Sequence, residues 1–349
     1  MSHKCRNGQS VSHNLPADFP DQTNLLDRAD FHAFLSGCLR TEQTGSGLLL
    51  HRHTAKQIAY YQETNEGWAI RSRCPAGIQL NLCSDTRSLD LRGRILTGPR
   101  TYAGFDVEVD GRASTAIRLD TSEEAQNLRL VDCDTRATRQ ITVTFPQSAI
   151  VELDAIDVEK GSRTIPHERS RKRYLALGDS ITQGMDARGP AAAYPVQLAR
   201  DLGLELLNLG VGGHIFDLDA LDDELPYEPD IVTVAYGTND WSRDTTRAQI
   251  ASTVRRYLTR LTTTVARSAR IYLLTPIWRA NGGDIKAGGT LPQFSAAIGE
   301  AAAPLATVID GSTLVPHVPG LFADGIHPND EGFQHFASNL QPHFSPETV

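Results

Sequence analysis

The 349-residue chain lacks the sequence features that would assign it to a membrane, a metal-binding module or a nucleic acid. No apolar run reaches 18 residues, which excludes a transmembrane helix. Its five cysteines all precede residue 134 and show no Cys-x-x-Cys spacing, so free thiols are expected rather than a zinc site or a disulfide framework. The net charge of −8 disfavours polyanions, and the one dense basic run, 169–173, is interpreted as a solvated linker.

The N-terminal residues also lack the apolar core and the cleavage site of a secretory signal, so a cytoplasmic location is predicted. Hydrophobic residues make up 40% of the chain and charged residues 22%, which is typical of a globular protein and not of a disordered one. The length is sufficient for two domains.

Residues 30–157 contain short segments with partial apolar alternation, the period of half-buried β-strands. Turn residues separate them at short intervals; Asp110-Gly111, for example, can supply the positive φ of a tight hairpin. This pattern predicts an antiparallel β-sandwich. The predicted strands are 77–83, 88–96, 102–111, 114–120, 139–145 and 149–158.

From Tyr174 onward, short apolar runs alternate with longer segments of helical period. In segment 245–267, apolar residues recur at positions 250, 254, 258, 261 and 265, which marks one face of a helix. Strands alternating with helices predict a parallel sheet covered on both faces. The predicted strands are 174–178, 205–210, 230–237, 270–276 and 306–311.

A polar segment that contains a glycine and a proline, 158–173, separates the two patterns and predicts a domain boundary. We therefore divide the chain into an N-terminal extension (1–29), a β-sandwich domain (30–165) and an α/β domain (174–349). The glycine-rich segment 279–292 has no periodicity, and it fits a substrate-facing loop and a plain surface loop equally well.

A serine stands directly after the first strand of the predicted parallel sheet, in the sequence GDSIT, where it is Ser180. The carboxyl ends of parallel strands form the rim at which open α/β sheets bind ligands. A serine hydroxyl becomes a strong nucleophile only when a positioned base takes its proton. A base and a group that orients the base are therefore needed.

Both groups are present near the C-terminus, where Asp324 precedes His327 by three residues in the sequence DGIHP. On one short turn, the carboxylate can accept from one ring nitrogen while the other ring nitrogen faces the serine. The chain order Ser, Asp, His is also one that catalytic triads use. These residues predict a triad in which Ser180 is the nucleophile.

Two further segments follow the second and third predicted strands, at the same rim. The sequence NLGVGG offers backbone N–H groups at Gly210, Gly212 or Gly213, and GTND offers the neutral amide of Asn239. Together with the backbone N–H of Ser180, such donors can surround a developing oxyanion.

The four segments GDSIT, NLGVGG, GTND and DGIHP, in this order, resemble the signature of the SGNH (GDSL-type) hydrolases from Tyr174 to the C-terminus. Each fragment is common by chance, whereas four in order are specific. The spacing in that family selects Gly213 as the oxyanion-hole glycine, with Gly210 as the alternative. The resemblance implies a flavodoxin-like three-layer α/β/α domain, an acyl-enzyme on Ser180, and neither a metal nor an organic cofactor.

An N-terminal, jelly-roll-like β-sandwich before an SGNH domain is similar to two-domain carbohydrate esterases and to GDSL-type acyltransferases of actinomycete natural-product biosynthesis. Because no signal sequence is visible, we favour an intracellular acyltransferase or esterase that acts on a hydroxyl or ester of a small, polyketide-type molecule. A carbohydrate O-deacetylase (acetyl esterase) and a non-enzymatic glycan-binding module are the alternatives. The triad alone does not distinguish hydrolysis from transfer to an alcohol.

The expected partners are a small ester or thioester as acyl donor and a hydroxyl compound or water as acceptor, with no nucleic acid and no membrane span. His214, Trp241 and Trp278 lie near the rim by sequence and are candidates for substrate contact, although packing also explains residues of these types. Ser180 has no Gly-x-Ser-x-Gly motif around it, which favours an open rim over a deep lipid tunnel.

Overall fold

The computed structural model of the protein describes residues 22–167 and 170–344. Residues 1–21 of the predicted N-terminal extension (1–29) lie outside the described residues. Residues 168–169 of the predicted boundary segment, which include Arg169 of the basic run, also lie outside them. The described residues form two compact units, the first comprising 22–52, 73–167 and 189–191, and the second comprising 53–72, 170–188 and 192–344.

The first unit contains two antiparallel six-stranded sheets. One has the strand order β3-β4-β11-β6-β9, with β1 paired to β11, and the other has the order β12-β5-β10-β7-β8, with β2 paired to β5. Alternate side chains of both sheets, such as Leu89 and Leu91 of β6 and Ile141 and Val143 of β10, are buried in one core. The predicted antiparallel β-sandwich is therefore confirmed. The strands are β1 (Gln22–Asn24), β2 (Leu35–Ser36), β3 (Arg40–Gln43), β4 (Leu48–His51), β5 (Gln79–Ser84), β6 (Ser88–Leu96), β7 (Tyr102–Val109), β8 (Arg112–Asp120), β9 (Ser122–Asp132), β10 (Arg139–Thr144), β11 (Ile150–Glu159) and β12 (Thr164–Pro166).

Sequence reasoning missed the long strand β9, which lies at the end of its sheet. The first half of β9 is mostly exposed, so its polar residues do not alternate with apolar ones. Among the described cysteines, Cys38, Cys74 and Cys83 form no disulfide bond, as expected. Cys133 is disulfide-bonded, so the expectation of free thiols is wrong at that residue.

The second unit contains a parallel five-stranded sheet with the order β14-β13-β15-β16-β17. In chain order this is 2-1-3-4-5, the flavodoxin-like arrangement, in which the direction of progression reverses between the first and third strands. Side chains of β13 alternate between the faces of the sheet, and Tyr174 and Ala176 join the core that contains helices α4 and α8. The strands are β13 (Arg173–Gly178), β14 (Glu205–Asn208), β15 (Ile231–Ala235), β16 (Arg270–Leu274) and β17 (Thr307–Ile309).

Helices complete the predicted α/β/α domain, with α4 packed on α8 and α6 packed on α7. The segment predicted from the period at 245–267 is α6, which begins with a capping box formed by Thr246 and Gln249. Among the described residues, no helix has both the length and the apolar character needed to cross a membrane. The helices are α1 (Ala55–Thr64), α2 (Glu66–Ser72), α3 (Ser180–Gln183), α4 (Tyr194–Leu202), α5 (Thr238–Ser242), α6 (Arg247–Thr263), α7 (Leu291–Ala302) and α8 (Asp330–Leu340).

The hairpin of α1 and α2 belongs to the second unit, although its residues lie within the segment 30–165 that we assigned to the β-sandwich. A capping box of Thr54 and Gln57 starts α1. Tyr61 and Trp68 then pack in a small core with Val211, close to the predicted oxyanion glycine in sequence. The hairpin is therefore part of the α/β unit in packing, although its sequence lies far upstream.

Candidate active site

The predicted site residues lie where the strand order of the parallel sheet reverses. Ser180 follows β13, and Asn239 follows β15, the neighbour of β13 on one side. Gly213 lies in the loop after β14, the neighbour on the other side. A crevice at such a switch point is the general ligand site of open α/β sheets.

A tight strand-to-helix turn holds Ser180. Asp179 caps the four-residue helix α3 by accepting from the backbone N–H of Ile181 at 3.0 Å. A Cβ atom at Gly178 would collide with the side chain of Thr182, so glycine is required for this close approach. The turn leaves Ser180 at the first helical position with only 5% of its surface exposed.

A second turn presents His327. One carboxylate oxygen of Asp324 accepts from the backbone N–H groups of Ile326 at 3.0 Å and His327 at 2.8 Å. Gly325 has a φ of +79°, which glycine adopts without strain. Asn329 then caps α8 by accepting from Gly332, so the turn is fixed to the start of a helix.

The structure brings the three predicted triad residues into one hydrogen-bonded chain. The Nε2 atom of His327 lies 2.8 Å from Ser180 Oγ, and its Nδ1 atom lies 2.8 Å from Asp324 Oδ2. With Nδ1 protonated, His327 donates to Asp324 and accepts from the serine hydroxyl at Nε2. This is the geometry that lets an imidazole remove the serine proton.

The electrostatics of Asp324 suit this arrangement. Burial acts to raise the pKa of the Asp324 carboxyl, but the backbone and imidazole hydrogen bonds from His327, together with the N–H of Ile326, outweigh it. The pKa of Asp324 is therefore below its ordinary value of 3.8, and the group is an anion at neutral pH.

A second carboxylate, which sequence reasoning missed, also reaches His327. Asp186 Oδ2 lies 3.2 Å from His327 Nδ1, the same ring nitrogen that contacts Asp324. The side chain of Asp186 is 11% exposed, compared with 46% for that of Asp324. No spacing rule for a triad points to Asp186, because it lies on the loop after α3, the helix that begins at Ser180, and not beside the histidine in sequence.

Ligand atoms of Asp186, Asp324 and His327 lie within 4.8 Å of one another, which makes these residues a possible metal-binding group among the described residues. The ring nitrogen that faces both carboxylates is Nδ1, which is hydrogen-bonded to Asp324 at 2.8 Å and lies at ion-pair distance, 3.2 Å, from Asp186. A proton on Nδ1 is what a triad requires, and it accounts for the approach of both anions.

The predicted oxyanion glycine lies in a β-turn, in which His214 donates its backbone N–H to Val211 at 3.0 Å. Gly213 is the third residue of this turn and has a φ of +77°, which a type II turn requires. Arg243 donates to the carbonyl of Gly213 at 3.1 Å and so fixes its position. The other candidate, Gly210, serves packing, because a Cβ atom there would collide with the backbone nitrogen of Gln183.

The amide nitrogen of Asn239 donates twice, to the carbonyl of His214 at 3.0 Å and to Asp179 Oδ2 at 3.3 Å. Burial, with help from the nearby Asp240 carboxyl, raises the pKa of Asp179 to about 7. Burial likewise raises the pKa of Asp240 to about 6. Asn239 therefore lies beside buried carboxyl groups that hold protons far more readily than exposed ones do.

Two of the three residues predicted to contact substrate are packed inside the unit. His214 is 1% exposed and has ring contacts with Trp68, Tyr61 and Tyr236, and burial lowers the pKa of its imidazole. Trp241 is fully buried and donates its indole N–H to the carbonyl of Gly289. Because neither side chain reaches the surface, we no longer propose that they contact substrate directly.

Trp278, the third such residue, lines a cavity of about 690 Å³ at the carboxyl ends of β16 and β17. Its ring stacks on that of His317 with 5.7 Å between centroids. The glycine-rich segment 279–292 supplies much of the wall of this cavity, including the apolar side chains of Leu291 and Pro292. The backbone N–H of Ala280, in the wall of the cavity, donates to the carbonyl of Gly325 at 2.8 Å. This hydrogen bond links the wall to the turn that carries Asp324 and His327.

Residues 176–335 match the sequence model of the GDSL-like Lipase/Acylhydrolase family, so the chain carries a domain of this family. Membership indicates acyl-transfer or ester-hydrolysis chemistry on small esters. No curated protein matches the chain in sequence.

Solved structures share the fold over most of the chain. The salicylyl-acyltransferase SsfX3 from a tetracycline biosynthetic pathway has a TM-score of 0.75 and 18% identity, covering 97% of each chain. A GDSL-like lipase from Bacteroides ovatus has a TM-score of 0.74 and 18% identity, covering 93% of this chain and 96% of that one. A family two carbohydrate esterase from Cellvibrio japonicus has a TM-score of 0.59 and 18% identity, covering 77% and 88%. The predicted resemblance to both groups is confirmed as a likeness of fold.

Proposed function

We propose that the protein is a serine acyl-transfer enzyme that forms an acyl-enzyme at Ser180. The observation that carries this proposal is the hydrogen-bonded chain from Ser180 Oγ through His327 to Asp324, with both contacts at 2.8 Å. A nucleophile, a base and a group that orients the base are thus within bonding distance before any substrate is bound.

In the first half-reaction, Ser180 Oγ attacks the carbonyl carbon of the donor while His327 Nε2 takes the hydroxyl proton. The imidazolium is stabilised by the Asp324 carboxylate and then gives this proton to the departing alcohol or thiol. A positioned base of this kind contributes about 10²–10⁴-fold to the rate. The acyl group remains bound to Ser180 as an ester.

In the second half-reaction, His327 Nε2 takes a proton from the acceptor hydroxyl, whose oxygen attacks the acyl carbon. The bond to Ser180 Oγ breaks, and the proton returns from the imidazolium to the serine. Water as acceptor gives hydrolysis, and an alcohol gives a new ester. The same residues act in both cases, so the occupant of the acceptor site decides the outcome.

We assign the oxyanion donors to the backbone N–H groups of Ser180 and Gly213 and to the side-chain amide of Asn239. Each such donor is worth about 10²–10³-fold in rate. Asn239 uses both amide hydrogens in the structure, and its bond to Asp179, at 3.3 Å, is the longer. We assign this longer bond as the one that is exchanged for the oxyanion.

For the substrate, we favour a small hydroxylated molecule of the polyketide type, modified by an intracellular acyltransferase or esterase. The cavity lined by Trp278 suits an aromatic or aliphatic group, because pockets of 300–1,000 Å³ with mostly apolar walls are typical of small-molecule sites. The salicylyl-acyltransferase, whose fold matches 97% of this chain, is the analogy on which we propose an aromatic acyl group.

A carbohydrate O-deacetylase is the second candidate, supported by the shared fold of the family two carbohydrate esterase. It predicts release of acetate from acetylated sugars by the wild type and not by Ser180→Ala. The Trp278 cavity distinguishes the candidates: Trp278→Ala should raise KM for aryl esters several-fold under the first candidate and should leave acetyl-sugar hydrolysis unchanged under the second.

The decisive experiment is intact-mass analysis of separate samples, one incubated with a fluorophosphonate probe and the others each with one ester or thioester donor from a panel. We expect one adduct on Ser180 in the wild type and none in Ser180→Ala. Ser122→Ala, which removes a hydroxyl from β9, is the matched control and should be labelled like the wild type. A folded wild-type protein without an adduct would favour the non-enzymatic glycan-binding alternative.

Addition of candidate alcohols to the acyl-enzyme then separates the two reactions. An acyltransferase gives a new ester at the expense of free acid as the alcohol concentration rises. If the free acid is formed at the same rate with every alcohol, the enzyme is a hydrolase.

A further inference from the structure

We propose that Asp186 is a second carboxylate partner of His327 and positions the imidazole together with Asp324, an inference that rests on the proposed function of this site. The contact that carries it is between Asp186 Oδ2 and His327 Nδ1, at 3.2 Å. Nδ1 therefore faces two carboxylates, with Asp324 as its hydrogen-bond acceptor and Asp186 at ion-pair distance, whereas one carboxylate is sufficient for a triad.

The backbone places Asp186 in this position at some cost. Its φ is +70°, in the left-handed region that non-glycine residues seldom adopt, although aspartate and asparagine tolerate it better than most. The residue follows a tight turn after α3, in which the N–H groups of Gly184 and Met185 donate to the carbonyl of Ser180. The nucleophile and the second carboxylate are therefore held by the same turn.

The loop that carries Asp186 is also fastened beside the histidine turn. The backbone N–H of Arg188 donates at 2.7 Å to Asp330, the first residue of α8, which follows His327 by three positions. Strained backbone that is held by surrounding hydrogen bonds often marks a functional position.

The two carboxylates differ in their surroundings. Asp324 is nearly half exposed, and the charge of Arg279 acts on it, whereas the Asp186 side chain is largely buried. An electrostatic contact that is shielded from water is stronger than an exposed one. Asp186 therefore holds the orientation and tautomer of His327 when the exposed Asp324 contact opens to solvent.

The test combines Asp186→Asn, Asp324→Asn and the double variant, with kcat for an aryl acetate measured over the pH range in the presence of EDTA. We expect losses of about 10-fold for Asp186→Asn and about 10²-fold for Asp324→Asn, and about 10⁴-fold for the double variant, as for a triad without its carboxylate. The double loss exceeds the product of the single losses, because each carboxylate compensates for the other.

Two readouts separate positioning from a structural role. In each single variant the acid limb of the pH–rate profile moves to lower pH, because one of the two anions that stabilise the imidazolium has gone. Asp186→Gly adopts a φ of +70° without strain, so it keeps the loop and should behave like Asp186→Asn. Unchanged kcat and pH profile in both Asp186 variants, with a double variant equal to Asp324→Asn, would overturn the proposal.

A measurement without turnover keeps this test separate from that of the proposed function. The NMR signal of the His327 Nδ1–H proton should persist in Asp324→Asn and disappear in the double variant. If fluorophosphonate fails to label the wild type, the proposed function fails, and the NMR result still decides the role of Asp186. Loss of the signal in Asp324→Asn alone would refute a second carboxylate partner.

Discussion

Replacing Gly213 by alanine tests the oxyanion assignment with little disturbance of packing. A Cβ atom at this position would lie 3.7 Å from Arg71 Nη1 and 3.7 Å from Trp68 Nε1, which is ordinary van der Waals distance. The cost of the substitution therefore comes from the φ of +77°, which costs an L-residue about 1–2 kcal/mol. If the turn relaxes to relieve this strain, the peptide group rotates and the N–H of residue 213 changes direction.

The expected result is a small loss of stability and a large loss of rate. A cost of about 1 kcal/mol lowers Tm by about 2–4 °C in a unit of this size. Loss of one oxyanion donor lowers kcat by about 10²–10³-fold. Both quantities can be measured by thermal unfolding and by hydrolysis of an aryl acetate.

Gly203 provides a matched control. It ends α4 with a φ of +63° and has nothing within 4 Å of its Cβ position, so Gly203→Ala introduces similar strain away from the site. We expect a similar fall in Tm and no change in kcat. If Gly213→Ala and Gly203→Ala retain the same activity, the assignment of Gly213 to the oxyanion hole is wrong.

Three further substitutions test the surroundings of the site and the stability of the fold. Trp68→Ala removes a buried ring that packs on His214 and should lower the free energy of unfolding by about 3–5 kcal/mol, measured by urea denaturation. Arg279→Lys loses hydrogen bonds to α5 and should lower kcat about 10-fold; a change in KM alone would contradict this role. Burial and then the charge of Arg40 lower the pKa of His51 from 6.5 to about 4, so the unfolded chain binds more protons between these values. The stability that this difference contributes is complete above pH 6.5 and is lost as the pH falls to 4, and His51→Gln should flatten the dependence of Tm on pH in this window.

The hydrophobic period of the sequence predicted most of the longer strands of the three sheets, because buried strands impose it directly, but it missed the short strands β1–β4 and β12. Segments 88–96 and 149–158, for example, correspond to β6 and β11. The period did not reveal β9, because none of the residues in the first half of this strand is buried and no alternation of apolar and polar residues results. It also failed for α1, whose start is signalled by Thr54 and Gln57 but whose apolar contacts are few.

The resemblance of the four motifs to the SGNH signature placed Ser180, Asp324 and His327 in one site. Convergence of strand ends at the sheet rim explains the position of Ser180 but not that of Asp324 and His327, which follow β17 by more than ten residues. Sequence reasoning could not find Asp186, because the sequence does not show that this residue adopts a positive φ, on which its position depends. It also misjudged His214 and Trp241, because the sequence shows nearness to the rim but not the direction of a side chain. The ring of His214 is covered by Trp68 of α2, and that of Trp241 is covered by segment 279–292. The motifs contain no information about the packing of either segment.

The origin of the α1–α2 hairpin limits how this protein can be divided or recombined. A gene fragment that starts at Arg173 would encode the whole parallel sheet but not the aromatic residues that cover Val211 and His214, and we expect it to be insoluble when expressed. An exchange of N-terminal halves between related proteins would replace Trp68, which lies beside the turn of Gly213, and so would alter the proposed oxyanion site as well as the sandwich. The hairpin and the α/β segment must therefore be kept or exchanged together, even though Ser180, His327, Asp324 and Asp186 all lie downstream of Tyr174.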